Sequence, residues 1–142
     1  MLLIDVNVLV YAFREDAPGH DAYRGWLLET IDSGKPFGVS DIVLSGFLRI
    51  TTHPRIFKPA SPILEALRFA EALRAQPNCV PLAPGSRHWG IFTDLCRSTE
   101  PRGNGIPDAF LAALAIEADA EWITADGGFS RFPDLRWRHP LS

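Results

Sequence analysis

Three aspartates have the residue type and the setting that could support chemistry. Asp5 interrupts the apolar run MLLIDVNVLVYAF, Asp108 directly follows Pro107 at the start of an alanine-rich stretch, and Asp126 follows the mostly apolar segment WITA at 122–125. An isolated carboxylate is costly to remove from water unless a cation or hydrogen bonds compensate it. We therefore expect a compensating group to meet Asp5, whose neighbouring segments offer no obvious cation.

Short apolar runs alternate with stretches of helical periodicity along the whole chain. Asn7 and Ser40 are suitable N-caps for two of the helices. Alternation of this kind is typical of a parallel sheet covered on both faces by helices. We predict an α/β fold, a three-layer α/β/α sandwich with a central, mainly parallel sheet, as a single domain over residues 1–142. The predicted strands are 2–4, 37–39, 78–82, 122–125 and 135–137, and the predicted helices start after Asn7 and after Ser40 and span 20–31, 61–75, 87–97 and 108–119.

The predicted elements place the three aspartates at one edge of the sheet. Asp5 ends the first strand, Asp126 follows a later strand, and Asp108 opens a helix whose apolar face packs on the sheet. Ligands of such sheets bind beyond the carboxyl ends of the strands. Repulsion among three acids requires a cation, and Mg²⁺ or Mn²⁺ fits best because hard ions prefer oxygen ligands. Taken alone, Asp108 could simply favour a helix N-terminus and Asp126 could be a turn residue.

The composition limits the function classes. The 142 residues carry a formal net charge of −3, which gives no general attraction for nucleic acid, so a polyanion needs local cations or a metal. Cys79 and Cys96 lie far apart without CxxC spacing, which argues against a zinc site or a disulfide framework. We find no signal peptide or membrane span and expect a cytoplasmic protein with no membrane partner.

Four stretches carry a family resemblance: IDVNVLV at 4–10, VLSGFLR followed by THPRIF at 43–57, PDAFLAALA at 107–115 and ITADGGFSRF at 123–132. In their order and spacing they resemble PIN-domain ribonucleases, and more narrowly the VapC toxins of bacterial toxin–antitoxin pairs. The resemblance extends over nearly the whole chain, from Leu3 to the RWRHPL ending.

The resemblance implies roles for five residues. Asp5 and Asp108 would be ligands of Mg²⁺ or Mn²⁺ and Asp126 the third acid, while Asn7 would brace Asp5 and Thr124 the loop at Asp126. The family hydrolyses an RNA phosphodiester, tRNA being one candidate substrate, by means of a metal-activated water. A VapB-type antitoxin that neutralises the toxin, and a toxin homodimer, are implied as well.

Gly46 departs from the family pattern. Most PIN domains carry an acid, usually Glu, at this point of the helix after the second strand. Asp41 is a candidate replacement as a metal ligand, but five residues of helix separate the two side-chain directions by about 140°. The alternative function is therefore a catalytically impaired PIN-fold protein that binds RNA or its antitoxin without turnover.

Local cations provide candidates for RNA contacts. Arg49 follows Gly46 on its predicted helix and Arg102 precedes Asp108 on a glycine-rich loop, so both are candidate phosphate ligands. His53 is a candidate for proton transfer, although a loop histidine is more often just exposed. Three of the four tryptophans are predicted to be buried: Trp26, Trp89 and Trp122.

Two other magnesium-using classes, receiver domains and haloacid-dehalogenase-like phosphatases, also carry carboxylates at strand ends. The phosphatase motif requires Asp where Asn7 stands, and both classes require a lysine after a late strand. The only lysines here, Lys35 and Lys58, do not follow a late strand. We therefore disfavour both classes.

Overall fold

The computed structural model describes residues 1–142 as a five-stranded sheet with six helices and one short 3₁₀ helix. Every strand pairing is parallel, and the spatial order is β3-β2-β1-β4-β5. The predicted α/β class with a parallel sheet is confirmed. The elements are β1 (Leu2–Ile4), α1 (Val6–Phe13), α2 (His20–Asp32), β2 (Phe37–Ser40), α3 (Asp41–Thr51), α4 (Ile63–Arg74), β3 (Cys79–Leu82), α5 (His88–Thr99), α6 (Gly105–Glu117), β4 (Glu121–Ile123), the 3₁₀ helix (Gly127–Arg131) and β5 (Trp137–Arg138).

Strand β1 lies at the centre of the sheet and sets the position of the candidate site. It pairs with β2 on one side and with β4 on the other, and Ile4 stands opposite Ile123. The backbone N–H of Asp5 continues this ladder by donating to the Ile123 carbonyl at 2.9 Å. The segments that follow β1 and β4 therefore leave the sheet side by side.

Helices cover both faces of the sheet and complete a three-layer α/β/α arrangement. Helix α1 packs on α2 and α3, α3 packs on α4, and α5 pairs with α6. Phe13, Phe47 and Phe69 form an aromatic cluster between α1, α3 and α4, with ring centroids 5.1–5.3 Å apart. Helix α6 is buried from Ala109 to Ala115 except at Phe110, whereas its first turn, which contains Asp108, is partly exposed.

Several predicted boundaries were wrong by two or three residues; β4, for example, ends at Ile123 and not at residue 125. Helix α1 begins at Val6 and its N-cap is Asp5, whose side chain accepts from the Val6 N–H, so Asn7 lies within the first turn. Helix α6 begins at Gly105, before Asp108, because proline is tolerated in a first turn whose N–H groups lack partners anyway. Strand β5 is shifted toward the C-terminus, to Trp137–Arg138.

The burial predicted for Trp89 was also wrong. Its side chain is 67% exposed on α5, whereas Trp122 is fully buried and Trp26 partly buried against the core. Helix α5 packs on α6 through the neighbouring residues instead, since His88 is buried with its Nε2 2.9 Å from the Phe110 carbonyl oxygen. Phe92 and Leu95 are buried as predicted, but His88 and not Trp89 completes the buried face of α5.

None of the helices is long and apolar enough to span a lipid bilayer.

Candidate active site

Asp5 is the most buried acid at the carboxyl edge of the sheet, with only 5% of its surface exposed. Its Oδ1 accepts a hydrogen bond from the Val6 N–H at 2.6 Å, and its Oδ2 accepts one from the Thr124 hydroxyl at 2.7 Å. A carboxylate has about four acceptor positions. The chain itself therefore compensates the buried Asp5 carboxylate with hydrogen bonds from Val6 and Thr124.

Asn7 and Thr124 join the two strand ends. The Asn7 amide donates to Oδ2 of Asp5 at 3.3 Å and to the Thr124 hydroxyl at 3.2 Å, while its carbonyl oxygen accepts from the Ala125 N–H at 3.1 Å. Both side chains touch Asp5, and Asn7 also ties the segment after β4 to α1. The role of these two side chains as braces of metal ligands stays a prediction.

Asp126 lies on the segment that follows β4 and caps the 3₁₀ helix. Its backbone N–H donates to the Thr124 hydroxyl at 3.0 Å, and its Oδ1 accepts from the Gly128 N–H at 2.8 Å. The same hydroxyl thus contacts both Asp5 and the backbone of Asp126. The other carboxylate oxygen of Asp126, Oδ2, has no hydrogen-bond partner within the chain, and Asp126 is exposed.

Asp108 enters the site from the first turn of α6, where its carboxylate meets a cation that the sequence analysis did not identify. Arg131, the last residue of the 3₁₀ helix, donates from Nη2 to Oδ2 of Asp108 at 3.0 Å. It also donates from Nη1 to the Gly128 carbonyl. Oδ1 of Asp108 has no partner within the chain.

The three carboxylates are close enough to interact electrostatically. Burial raises the pKa of Asp5 from 3.8 to about 6, the hydrogen bonds from Thr124 and Val6 oppose this rise, and the charges of Asp108 and Asp126 add to it. A rise of this kind means that the ionised form of Asp5 is disfavoured in the folded chain as it stands. A cation at this position would relieve both the burial and the repulsion.

The donor chemistry fits a hard divalent cation, although the chain alone does not enclose one. Each of the three acids keeps one oxygen with unused acceptor capacity, namely Oδ1 of Asp5, Oδ1 of Asp108 and Oδ2 of Asp126. No group of three or more Asp, Glu, His or Cys side chains is gathered tightly enough to surround a metal ion. Mg²⁺ is usually held by one or two carboxylates together with waters and substrate phosphates. The arrangement matches that open type of site.

Gly46 lies beside the start of α1. A Cβ built on it would come within 3.1 Å of a Val6 methyl carbon, closer than ordinary van der Waals contact. The position at which the resemblance leads one to expect an acid therefore adjoins the N-terminus of α1, next to Asp5. Here it is used for close packing of α3 on α1.

The structure does not bring the other predicted site residues into the cluster. Asp41 forms its ion pair elsewhere: its side chain is 82% exposed and lies 3.4 Å from Arg74 of α4. Arg49 is exposed on α3, one turn beyond Gly46, and has no ion pair with the acids. His53 lies past the end of α3, with its Nδ1 accepting the Arg55 N–H. Arg102 is exposed in the loop before α6.

Arg131 is the contact that sequence reasoning missed. It belongs to the GGFSRF stretch, whereas its partner Asp108 lies on a different element, α6. A signal was available, because an arginine five residues after Asp126, in a segment rich in glycine and aromatic residues, can fold back over the turn. Only the position of α6 relative to this turn reveals its partner.

Comparisons with known proteins agree with this architecture. The family model described as the PIN domain matches residues 2–135. The chain is 49% identical over 142 residues to the VapC ribonuclease Mb2897 of Mycobacterium bovis, covering 99% of this chain and 96% of that protein. It is 41% identical over 140 residues to ribonuclease VapC25 of Mycobacterium tuberculosis, covering 99% of both chains.

Solved structures show the same fold at low sequence identity. A chain of VapBC-1 from nontypeable Haemophilus influenzae superposes with a TM-score of 0.71 at 16% identity, covering 99% of this chain and 98% of that chain. A chain of VapBC2 from Rickettsia felis, in a complex bound to a promoter DNA fragment, gives 0.69 at 18% identity with 97% coverage of both.

Proposed function

The chain belongs to the PIN-domain family and to its VapC group, and from this we propose that it is a metal-dependent endoribonuclease toxin. The reaction is hydrolysis of RNA phosphodiester bonds, with Mg²⁺ or Mn²⁺ as cofactor. The observation that carries the proposal is the meeting of Asp5, Asp108 and Asp126 at one sheet edge, each with unused acceptor capacity on one oxygen.

The residues of the site act by holding oxygen ligands in place. Thr124 and Asn7 fix Asp5, the Gly128 N–H fixes Asp126, and Arg131 fixes Asp108. Such partners of ligating carboxylates orient them and set their affinity for the metal. A bound divalent ion would supply polarisation of the phosphate and activation of the attacking water.

The absence of a side-chain nucleophile is consistent with this chemistry. His88 is buried against α6, where its Nε2 contacts the Phe110 carbonyl. The Nδ1 of His53 accepts the backbone N–H of Arg55 in the loop after α3. Of the other two histidines, His20 contacts the Tyr11 carbonyl and His139 the Tyr23 hydroxyl. None of the four histidines therefore forms a hydrogen bond to a serine, threonine or cysteine side chain that it could activate. Hydrolysis by water therefore accounts for the site better than covalent catalysis does.

The partners follow from the same family membership. Relatives named VapC ribonucleases, and solved VapBC complexes with the same fold, support a VapB-type antitoxin as the neutralising partner. We include in the proposal a homodimeric toxin, a single domain over residues 1–142 and action in the cytoplasm. The unpaired thiols of Cys79 and Cys96 agree with a reducing compartment.

One observation favours a second candidate, a PIN-fold protein that binds RNA or its antitoxin without turnover. Gly46 stands where an acid is expected, and Asp41 does not replace it because it faces Arg74 in solvent. A site with one acid fewer carries less charge for a second metal ion. The primary proposal remains a nuclease because the three acids that are present keep their hydrogen-bonded bracing.

An RNA cleavage assay in Mn²⁺ and in Mg²⁺ tests the proposal. We expect the wild-type chain to cleave RNA, and Asp5→Ala and Asp108→Asn to lose most of the activity. Asp94→Asn is the matched control, because Asp94 is an exposed aspartate paired with Arg97 on α5. Equal activity of the wild type and both site variants refutes the nuclease. RNA binding without cleavage favours the second candidate.

A further inference from the structure

Arg131 has contacts that hold its guanidinium in one orientation at the rim of the candidate site. Its Nη2 donates to Asp108, its Nη1 donates to the Gly128 carbonyl, and its Cζ lies 4.3 Å from the centre of the Phe132 ring. The side chain nevertheless remains 39% exposed. The group is thus fixed on one side and open on the other.

The guanidinium has donors left over. Arginine carries five N–H donors in a rigid, planar fork, and the chain uses one on Nη1 and one on Nη2. Nε and the second N–H of each terminal nitrogen have no acceptor in the chain. A fork of this geometry matches the oxygens of a phosphate.

Arg14 shows how an arginine with a purely structural role is bound in this protein. It makes a two-pronged pair with Asp16 at 2.6 and 2.8 Å, donates to Ser61 and lies 4.3 Å from the Phe57 ring. Only 12% of its side chain is exposed. Arg131, by contrast, contacts Asp108 through a single nitrogen and keeps much of its surface open.

The backbone around Arg131 leaves space for the approach of a ligand. Gly105 and Gly128 flank the guanidinium, and a Cβ at these positions would lie 3.8 Å from Nη2 and 3.1 Å from Nη1. Side chains there would cover the group from two sides. The two glycines keep the terminal nitrogens accessible beside Asp108.

We propose that Arg131 binds a phosphate group of the RNA, adjacent to the phosphate that meets the carboxylates. The positive charge of Arg131 would then offset the repulsion between the acidic site and the RNA backbone. The inference rests on the proposed function insofar as the bound polyanion is RNA. Asp108, the Gly128 carbonyl and the Phe132 ring orient the guanidinium before binding, so less side-chain freedom is lost when the phosphate arrives. Such a contact would supply local positive charge at the site of a chain whose net charge is −3.

The test compares Arg131→Ala with Arg136→Ala. Arg136 is a matched control because it also contacts one carboxylate oxygen and one backbone carbonyl, both of Asp119, but precedes β5 at the opposite edge of the sheet. Binding of a fluorescein-labelled 20-nucleotide single-stranded RNA of mixed sequence is measured by anisotropy over a range of salt concentrations. Ca²⁺ replaces Mg²⁺, and the RNA is checked for integrity by gel after each titration.

We expect Arg131→Ala to weaken RNA binding about tenfold or more, and to lower the salt slope by about 0.7, which corresponds to one phosphate contact on a single strand. Arg136→Ala should change neither quantity. Arg131→Lys keeps the charge and should keep the slope while losing part of the affinity, because the fork is absent. If Arg131→Ala does not fold, Arg131→Lys against Arg136→Lys decides by affinity alone.

Calorimetric titration of Mn²⁺ separates phosphate binding from a purely positioning role. An unchanged salt slope in Arg131→Ala, together with weaker Mn²⁺ binding, overturns the inference, because Arg131 then acts only by holding Asp108. Equal losses in both arginine variants overturn it as well. Failure of the nuclease proposal is distinguishable, since a chain that binds RNA without cleaving it would still show the change of slope at Arg131.

Discussion

Replacing Asp5 by Asn should alter the pH dependence of stability more than any other single change of a carboxylate. The side chain is 5% exposed, and burial raises its pKa to about 6, against 3.8 for an unperturbed aspartate. Asn keeps the size of the side chain and the ability to cap α1. The substitution therefore removes the ionisable group with little change in packing.

The direction of the effect follows from the two pKa values. Because the folded-state pKa of Asp5 is above that of the unfolded chain, the folded state binds more protons between about pH 4 and pH 6. The free energy of unfolding therefore decreases as the pH rises through this interval. A shift of about two pKa units corresponds to about 3 kcal/mol, which is fully lost above the folded pKa.

The magnitude for Asp5→Asn combines this charge term with a hydrogen-bond term. Thr124 donates to Oδ2 of Asp5 at 2.7 Å, and an amide nitrogen there cannot accept, which costs about 1 kcal/mol at every pH. We expect the variant to be about 1 kcal/mol less stable than the wild type near pH 4 and about 2 kcal/mol more stable at pH 7.

Urea unfolding of the metal-free protein, followed at several pH values from 4 to 7.5, measures this difference. Asp94→Asn is the control for a solvent-exposed aspartate. In a second series, Mg²⁺ should raise the stability of the wild type at pH 7 and leave Asp5→Asn nearly unchanged, because a ligand stabilises only the state that binds it. A difference between wild type and Asp5→Asn that does not vary with pH would refute the buried-carboxylate reasoning.

Three further substitutions test the bracing and the packing around the site. Asn7→Ala should weaken Mn²⁺ binding about tenfold or more, measured by calorimetry, while lowering the free energy of unfolding by only about 1 kcal/mol; a loss of stability without a loss of metal affinity contradicts its role as a brace. Thr124→Val should destabilise the chain by about 2 kcal/mol in urea unfolding, because the Asp5 carboxylate and the backbone N–H of Asp126 both lose the Thr124 hydroxyl as a hydrogen-bond partner. Thr124→Ser, which keeps the hydroxyl, should restore most of the lost stability. Gly46→Ala should gain helix propensity but crowd Val6, so that combining it with Val6→Ala gives a favourable coupling energy in a double-mutant cycle; simple additivity of the two changes refutes the close contact at 3.1 Å.

The alternation of elements and the family resemblance were readable from the sequence for a physical reason. Buried parallel strands are short and continuously apolar and helices are periodic, so β1, β2 and β4 were found within one or two residues of their observed ends. The motif around Asp108 placed it in the first turn of a helix, although the helix begins earlier. The PIN-domain assignment was confirmed, while the metal roles of the three acids remain predictions.

The errors occurred where local preferences compete. Aspartate and asparagine are equally good N-cap residues. Asp5 and not Asn7 caps α1 because the chain leaves the sheet immediately after Ile4. Trp89 was predicted to be buried because it shares a helical face with Phe92 and Leu95, but His88 fills its place in the buried face and Trp89 is exposed. Such choices depend on how α5 meets α6, which no local pattern encodes.

The sequence by itself determined which residues could do chemistry, because carboxylates at the ends of apolar strands are costly unless they have a partner. Only the tertiary structure decided which partners they have. Thr124 reaches both Asp5 and Asn7 across more than a hundred residues, Arg131 reaches Asp108 from the turn after β4, and Asp41 pairs with Arg74 instead of with the acids. Contacts between distant segments are set by the register of the sheet and the packing of helices on it, and these are global properties of the fold.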